Sequence, residues 1–262
     1  MKFKINIKNN PFKYSPKGLA FEYVKDISKS NPNIKYLDFG CRNGDLLYEL
    51  QRNGIIKTGV GVDLDGDAIT AAKKRYIDID FRLVKKNDKF KEEDNTFDII
   101  TIIGVVEHVF DQISLIKELK RILKPGGILI VAVPGQHLFS FLDMGNFKFR
   151  FPKLHKFFVR FKYTNEQYNA RYVSNEFGCI GDIEAEKAWH EHFSRSSMQA
   201  LINEVENLEI LDIDGLGFYH RILNNIKYFL PSKVKPVMEG VINWDLKKYD
   251  KCELIFLLRK KI

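Results

Sequence analysis

The stretch Tyr36-Leu37-Asp38-Phe39-Gly40-Cys41-Arg42-Asn43-Gly44-Asp45, with Asp63 closing the next apolar run, decides the fold of this chain. It reads as a strand, a glycine turn, a helix and a second strand that ends in a carboxylate. Gly40 and Gly44 let the turn fold tightly and let its backbone approach a ligand. Asp63 stands 23 positions after Gly40, where a carboxylate can accept both hydroxyl hydrogens of a ribose. This combination suits an adenosine-containing cofactor.

Working outward, Pro16–Lys29 has the proline start and apolar spacing of a helix that precedes strand 1, Lys35–Phe39. The pattern then predicts a helix over Asp45–Arg52, strand 2 over Thr58–Asp63, a helix over Asp67–Arg75 and strand 3 over 79–85. Phe97–Ile103 is almost entirely apolar, as expected of strand 4 buried on both faces. A helix over 112–123 is ended by Pro125-Gly126-Gly127, and Ile128–Val133 is strand 5. The alternation predicts a parallel sheet with helices on both faces. It breaks over 136–192, which is long, aromatic and basic. Ser194 is then a candidate N-cap, with Met198–Val205 a helix, Leu208–Ile213 a strand, 216–248 irregular or helical, and Cys252–Arg259 the last strand.

The 262 residues suffice for one large α/β domain or a domain with a sizeable insertion. The three cysteines, Cys41, Cys179 and Cys252, are widely spaced and form no metal pattern, which favours a reducing compartment. Met1–Ile5 lacks the apolar core of a signal peptide, and no run approaches the ~20 apolar residues of a membrane span, so a soluble, cytoplasmic protein is expected. The net charge of +8 is uneven: Lys148, Arg150, Lys153, Lys156, Arg160 and Lys162 lie within 147–162 without an acid among them.

The order of motifs resembles the class I S-adenosylmethionine-dependent methyltransferases. Leu37–Gly44 is similar to that family's first motif and Val62-Asp63 to its ribose-binding acid. Asp94–Asp98 resembles its entry to strand 4, Val106–Val109 its signature after strand 4, and Leu123–Gly127 its turn before strand 5. The resemblance covers 34–134 well, and 190–214 and 252–259 weakly. It implies an α/β, Rossmann-like, doubly wound, mostly parallel seven-stranded sheet with inserted elements after strands 5 and 6. Residues 1–262 would form a single methyltransferase domain, with 34–134 the cofactor-binding core, 136–192 an insertion capping the acceptor, and 216–248 a second inserted segment.

Dinucleotide binding is disfavoured on physical grounds. A pyrophosphate calls for a G-x-G-x-x-G turn, whereas this chain has Gly40-x-x-x-Gly44 with Arg42 where a middle glycine would sit. S-adenosyl-L-methionine carries no phosphate and demands that close approach less strictly. Arg42 is either an exposed residue on a relaxed turn of negative φ or a contact to a carboxylate of cofactor or substrate. A positive φ there would cost roughly 1–2 kcal/mol.

By resemblance, Asp38 sits under the methionine amine, and Gly40, Cys41, Gly44 and Leu64 border the cofactor with Asp63. Asn87 or Asp88, just past strand 3, is the expected adenine contact, and Glu107 orients a helix or the cofactor. Hydroxyl methylation benefits from a general base. His108 after strand 4 and His137 after strand 5 are the catalytic candidates, each alternatively a structural or substrate-contacting residue at the sheet edge. His190 and His192 form a His-x-His pair without a third ligand, so no metal is expected; both suit packing at the active-site rim, and His192 is the one taken as a substrate-binding candidate, with Tyr168 and Arg171. His155 and His220 read as packing or surface residues.

Residues 147–162 interleave six phenylalanines with the six cations. They suit a packed insertion, an anion clamp for a phosphorylated substrate, or a membrane-surface segment. Without a recognised module, nucleic acid is not expected as a partner. Tyr163, Tyr168, Arg171 and Tyr172 suit a polar acceptor pocket. The leading expectation is O-methylation of a polar, carbohydrate-type small molecule such as a nucleotide sugar or saccharide precursor. The alternatives are N- or C-methylation of another metabolite such as a quinone precursor, and a non-catalytic member that binds a membrane or a protein. Oligomeric state is not readable.

Overall fold

Strands β1 (Lys35–Phe39), β2 (Thr58–Asp63), β3 (Asp80–Leu83), β4 (Phe97–Ile103), β5 (Leu123–Pro134), β6 (Leu208–Leu216) and β7 (Glu253–Lys260) form one sheet in the order β3-β2-β1-β4-β5-β7-β6. The computed structural model describes residues 10–12, 15–31, 33–85, 90–136, 151–160, 164–172, 191–217, 231–248 and 252–262. Strands β1 to β5 pair in parallel, and β7 runs antiparallel to both β5 and β6. The strand order reverses between β1 and β4, the position where open α/β sheets leave a crevice at their carboxyl edge.

Helices α1 (Pro16–Ser28), α2 (Asp45–Arg52), α3 (Gly66–Arg75), α4 (Gln112–Ile122), α5 (Pro152–Val159), α6 (Asn165–Tyr172), α7 (Arg195–Asn203) and α8 (Lys235–Lys248) complete the described fold. Helices α5 and α6 lie between β5 and β6, and α8 lies between β6 and β7.

Each strand alternates its side chains between two cores, as the pleat requires. Ile128, Ile130 and Ala132 of β5 face α1, α2 and α3, whereas Leu129, Val131 and Val133 face α4 and α7. Strand β7 divides the same way, Ile255 and Leu257 against Leu254, Phe256 and Leu258. The central strands are therefore apolar on both faces, which is why β1, β2 and β4 have the bounds read from sequence.

Elements bounded by turns differ more. Strand β5 begins at Leu123, directly after α4, instead of after the Pro-Gly-Gly turn. Leu123 pairs with Phe97, and Ile128 pairs with Ile99 beyond an irregularity. The intervening residues are held there because Lys124 Nζ bonds both Asp98 carboxylate oxygens at 2.9 and 2.8 Å. Strand β3 is shorter than 79–85, and β6 extends three residues past Ile213 along β7 to Leu216. The expected caps are present: Ser15 accepts from Gly18 at the head of α1, and Ser194 from Ser197 at the head of α7.

The Gly40–Gly44 turn fixes the geometry above β1. Gly40 and Gly44 have φ of 80° and 74°, and Arg42 between them has φ 48°, so the relaxed turn of negative φ is not the one adopted. A Cβ on Gly44 would stand 2.2 Å from the Phe81 ring. Gly44→Ala therefore combines a left-handed backbone with a ring collision, and should lower stability by about 2–4 kcal/mol in urea unfolding. Arg42→Gly removes side-chain strain at a small entropic cost, and should raise stability by about 0.5–1 kcal/mol in the same measurement.

Candidate active site

A cleft opens at the carboxyl edge, where the strand order reverses. Phe39, Gly40 and Arg42 line it from the β1 turn; Val62, Asp63, Leu64 and Asp65 line it from the end of β2. Val84 after β3, and Ile103, Gly104, Val105, His108 and Val109 after β4, complete the wall.

Asp63 organises the near side of this cleft. Its Oδ2 accepts the Arg42 N–H at 2.7 Å and its Oδ1 accepts the Asp65 N–H at 2.9 Å. The Gly40 and Cys41 N–H groups both bond Val62 O, at 2.8 and 3.0 Å. The carboxylate is thus fixed between the glycine turn and α3, 8% exposed, with lone pairs left for hydroxyl donors. Asp65 next to it caps α3, its Oδ1 accepting from Asp67 and Ala68 N–H.

Beneath the turn runs a buried polar chain. Tyr36 Oη and Thr101 Oγ1 are 2.6 Å apart, and Thr101 Oγ1 donates to Asp38 Oδ1 at 2.8 Å. The single Thr101 hydrogen is used on Asp38, so Tyr36 is the donor of the first bond. Asp38 is 3% exposed. Burial pushes its carboxyl up to about 6, Asp63 adds to the rise, and Lys17 and Thr101 oppose it. Burial also holds the Tyr36 hydroxyl well above its ordinary value. Cys41 is a buried free thiol, raised chiefly by burial, so it packs the turn and is not a nucleophile.

The turn after β4 is a short 3-10 helix, Val106–His108. His108 N–H bonds Val105 O at 2.9 Å, and the imidazole, 8% exposed, borders the cleft. Its Nε2 is 3.9 Å from Glu107 Oε1, an electrostatic contact longer than a hydrogen bond. Glu107 itself is buried beneath Gly104, where a Cβ would stand 3.5 Å from Glu107 Oε1.

Of the residues anticipated from sequence, Gly40, Asp63, Leu64 and His108 line the cleft, while Asp38, Cys41, Gly44 and Glu107 pack under or beside it. His192 is half-buried one residue before Phe193, which bridges Gly135 beyond β5. Gln112 Nε2 ties this segment to the 3-10 turn through Glu191 Oε2 at 2.7 Å and Val106 O at 3.1 Å. Tyr168 does not border the cleft: its hydroxyl is 3.1 Å from His155 Nδ1 between α5 and α6. Arg171 lies at the end of α6, and its side chain is outside the described residues, as are Asn87, Asp88, His137, His190 and His220. Among the described residues no group of three or more potential ligands could hold a metal ion. No described helix is long and apolar enough to cross a membrane. Thr101 was not anticipated, although a lone hydroxyl in an apolar strand is a legible signal.

The site suits the cofactor that the motifs imply. Asp63 is a fixed acceptor for a ribose, the flanking Leu64, Val84 and Val109 offer an apolar slot for a purine, and the buried Asp38 carboxylate suits a cation.

Comparison with known proteins agrees. A family model described as a methyltransferase domain matches residues 14–205. The ubiquinone biosynthesis O-methyltransferase of Hydrogenovibrio crunogenus is 30% identical over 128 residues, 47% of this chain and 52% of that protein. Its namesake in Pelagibacter ubique is 27% identical over 206 residues, 77% of this chain and 72% of that protein. The chain spans about half the length of most of the curated relatives it matches. Among solved structures, the plantazolicin methyltransferase BpumL in complex with an analogue and SAH superposes with TM-score 0.55 at 16% identity, covering 97% of this chain and 87% of that one. The [4+2]-cyclase SpnF superposes with TM-score 0.54 at 17% identity over 93% and 80%, a likeness of fold alone. With the family model spanning both the glycine turn and the post-β4 signature, the chain belongs to the class I S-adenosylmethionine-dependent methyltransferases.

Proposed function

We propose that this chain methylates an aromatic hydroxyl of a quinone-precursor type, with His108 as the group that receives the proton. The observation that carries this reading is the wall after β4, where Ile103, Val105 and Val109 surround one ionisable side chain, His108. An aromatic ring loses little on such a wall. A saccharide would bury several hydroxyls there, each costing about 1–3 kcal/mol if left without a partner. The names of the relatives support an oxygen acceptor and a quinone precursor. They give no support to the carbohydrate acceptor expected from the aromatic insertion, nor to a phosphorylated one.

S-adenosylmethionine supplies an electrophilic methyl carbon whose transfer to oxygen leaves a neutral thioether and releases the hydroxyl proton. Asp63 and the Gly40–Gly44 turn hold the nucleoside, the buried Asp38 faces the positive end, and His108 borders the place where the acceptor hydroxyl must lie. We read 136–192 as the acceptor's cap and 216–248 as a second inserted segment of the same domain. The partner is accordingly a small molecule.

A lipid-like acceptor also suits a membrane-surface role for α5. Phe151, Leu154, Phe157 and Phe158 are exposed there beside Lys153, Lys156 and Arg160, while His155 turns inward against Tyr168. Exposed rings with cations and no acid suit an anionic lipid surface. Vesicles containing anionic lipid should co-sediment the protein, neutral vesicles should not, and Phe157→Asp with Phe158→Asp should abolish the difference. Equal sedimentation with both vesicle types would remove this role.

Two measurements test the enzymatic reading. Asp63→Ala deletes two charge-assisted ribose bonds and unties the turn, so affinity for S-adenosylhomocysteine should fall about 100-fold or more by calorimetry. His108→Ala should lower methylation of a dihydroxylated isoprenyl benzene, followed by mass spectrometry, by about 10²–10⁴ with cofactor affinity retained. Undiminished turnover in His108→Ala would exclude it as the base.

A further inference from the structure

One side chain of α4 fastens the turn of His108 to the returning end of the acceptor's cap. Gln112 is the first residue of α4, whose start is fixed by the Asp111 cap: its Oδ1 accepts Ser114 N–H at 2.9 Å. Ile116, Leu119 and Ile122 seat the helix in the core, so Gln112 stands on a packed element. Its amide nitrogen carries two hydrogens, and both are spent. One goes to Glu191 Oε2 at 2.7 Å, a short bond to a carboxylate, and the other to Val106 O at 3.1 Å.

Each recipient stands next to a histidine. Val106 opens the 3-10 turn that carries His108 to the cleft wall, and its carbonyl also accepts Val109 N–H at 3.2 Å. Glu191 directly precedes His192 and the buried Phe193. There the chain that left the sheet after Pro134 comes back. Phe193 N–H bonds Pro134 O at 2.9 Å, and Gln136 N–H bonds Phe193 O at 2.8 Å. The two ends of 136–192 therefore lie side by side at the carboxyl edge of β5. Those backbone bonds hold the base of the cap to β5, and the Gln112 amide joins it to the turn after β4.

We propose that Gln112 is a positioning residue for methyl transfer: its amide sets the base of the cap against the turn of His108, so that the acceptor hydroxyl arrives within reach of the imidazole. This rests on the reading of 136–192 as the acceptor's cap and of His108 as the group that receives the proton. An amide suits the task because it donates to a carboxylate and to a carbonyl at once, which neither a carboxylate nor an apolar side chain of its size can do. Misplacing reacting groups by about 1 Å costs on the order of 10²-fold in rate, so the loss of two such bonds is readable in turnover.

Steady-state kinetics with the dihydroxylated isoprenyl benzene separate the two arms of the amide. Glu191→Leu cuts the arm to the cap, and should raise KM for the acceptor about tenfold with kcat within about twofold of wild type. Gln112→Leu cuts both arms, and should add a fall in kcat of about tenfold. The double variant should be no worse than Gln112→Leu, because both changes remove the same link. Gln112→Lys, whose ammonium can donate to both oxygens, should recover most of both losses. Affinity for S-adenosylhomocysteine by calorimetry should stay within about twofold of wild type in every variant. Hydrogen exchange supplies a readout that needs no acceptor. With S-adenosylhomocysteine bound, Gln112→Leu should speed exchange at 106–109 and at 191–193 together by about tenfold and leave β1 and β2 unchanged. Wild-type KM and kcat in Gln112→Leu, additive losses in the double variant, or S-adenosylhomocysteine affinity that falls in step with turnover would each overturn the proposal and leave the methyltransferase assignment standing. Wild-type protein that binds S-adenosylhomocysteine without methylating this benzene would instead remove the proposed acceptor. Hydrogen exchange then decides the role of Gln112, and unchanged exchange in either segment overturns it.

Discussion

The site depends on one carboxylate. Asp63 holds the Arg42 N–H with one oxygen and the Asp65 N–H with the other, so the end of β2 is tied to the glycine turn of β1 and to the head of α3. Parallel strands offer no hairpin to fix their neighbouring turns, and a side chain must do so. Because both oxygens are committed to backbone donors, the carboxylate is held in one orientation at the cleft, with lone pairs left for further donors. Arg42 keeps a left-handed backbone in this arrangement, a strain of the kind that persists when surrounding bonds over-determine a turn.

Much of this was legible in the sequence where burial leaves no choice. Strands β1, β2 and β4 are covered by helices on both faces, so their apolar runs carry their own ends, and Phe97–Ile103 could be read to the residue. Asp63 and His108 were legible because spacing after a strand places them at the sheet edge. What escaped the sequence depends on long-range partners. Strand β5 starts early because Lys124 finds Asp98, and no periodicity marks that pair. Thr101 joins Tyr36 to Asp38 across two strands, a link that appears once the parallel register is known. The aromatic insertion does not name an acceptor, because rings beside cations serve saccharides, lipids and simple packing alike. In α5 and α6, Tyr168 spends its hydroxyl on His155 and not on a cleft.

Fold alone would not settle the chemistry, since a [4+2]-cyclase shares this architecture at TM-score 0.54. The family model carries the assignment to the methyltransferases, and the cleft's chemistry is compatible with it. Asp63, fixed by two backbone donors, and the His108 imidazole both line the cleft, and the Asp38 carboxylate is buried beneath the glycine turn. A dinucleotide would need a turn stripped of side chains at the pyrophosphate, where this chain carries Arg42.

A calorimetric titration of the whole chain with S-adenosylmethionine, and with NAD in a parallel run, separates these two cofactors. S-adenosylmethionine should bind one-to-one in the micromolar range, and NAD should give no heat. Binding of NAD without detectable binding of S-adenosylmethionine would contradict the assignment of the cleft.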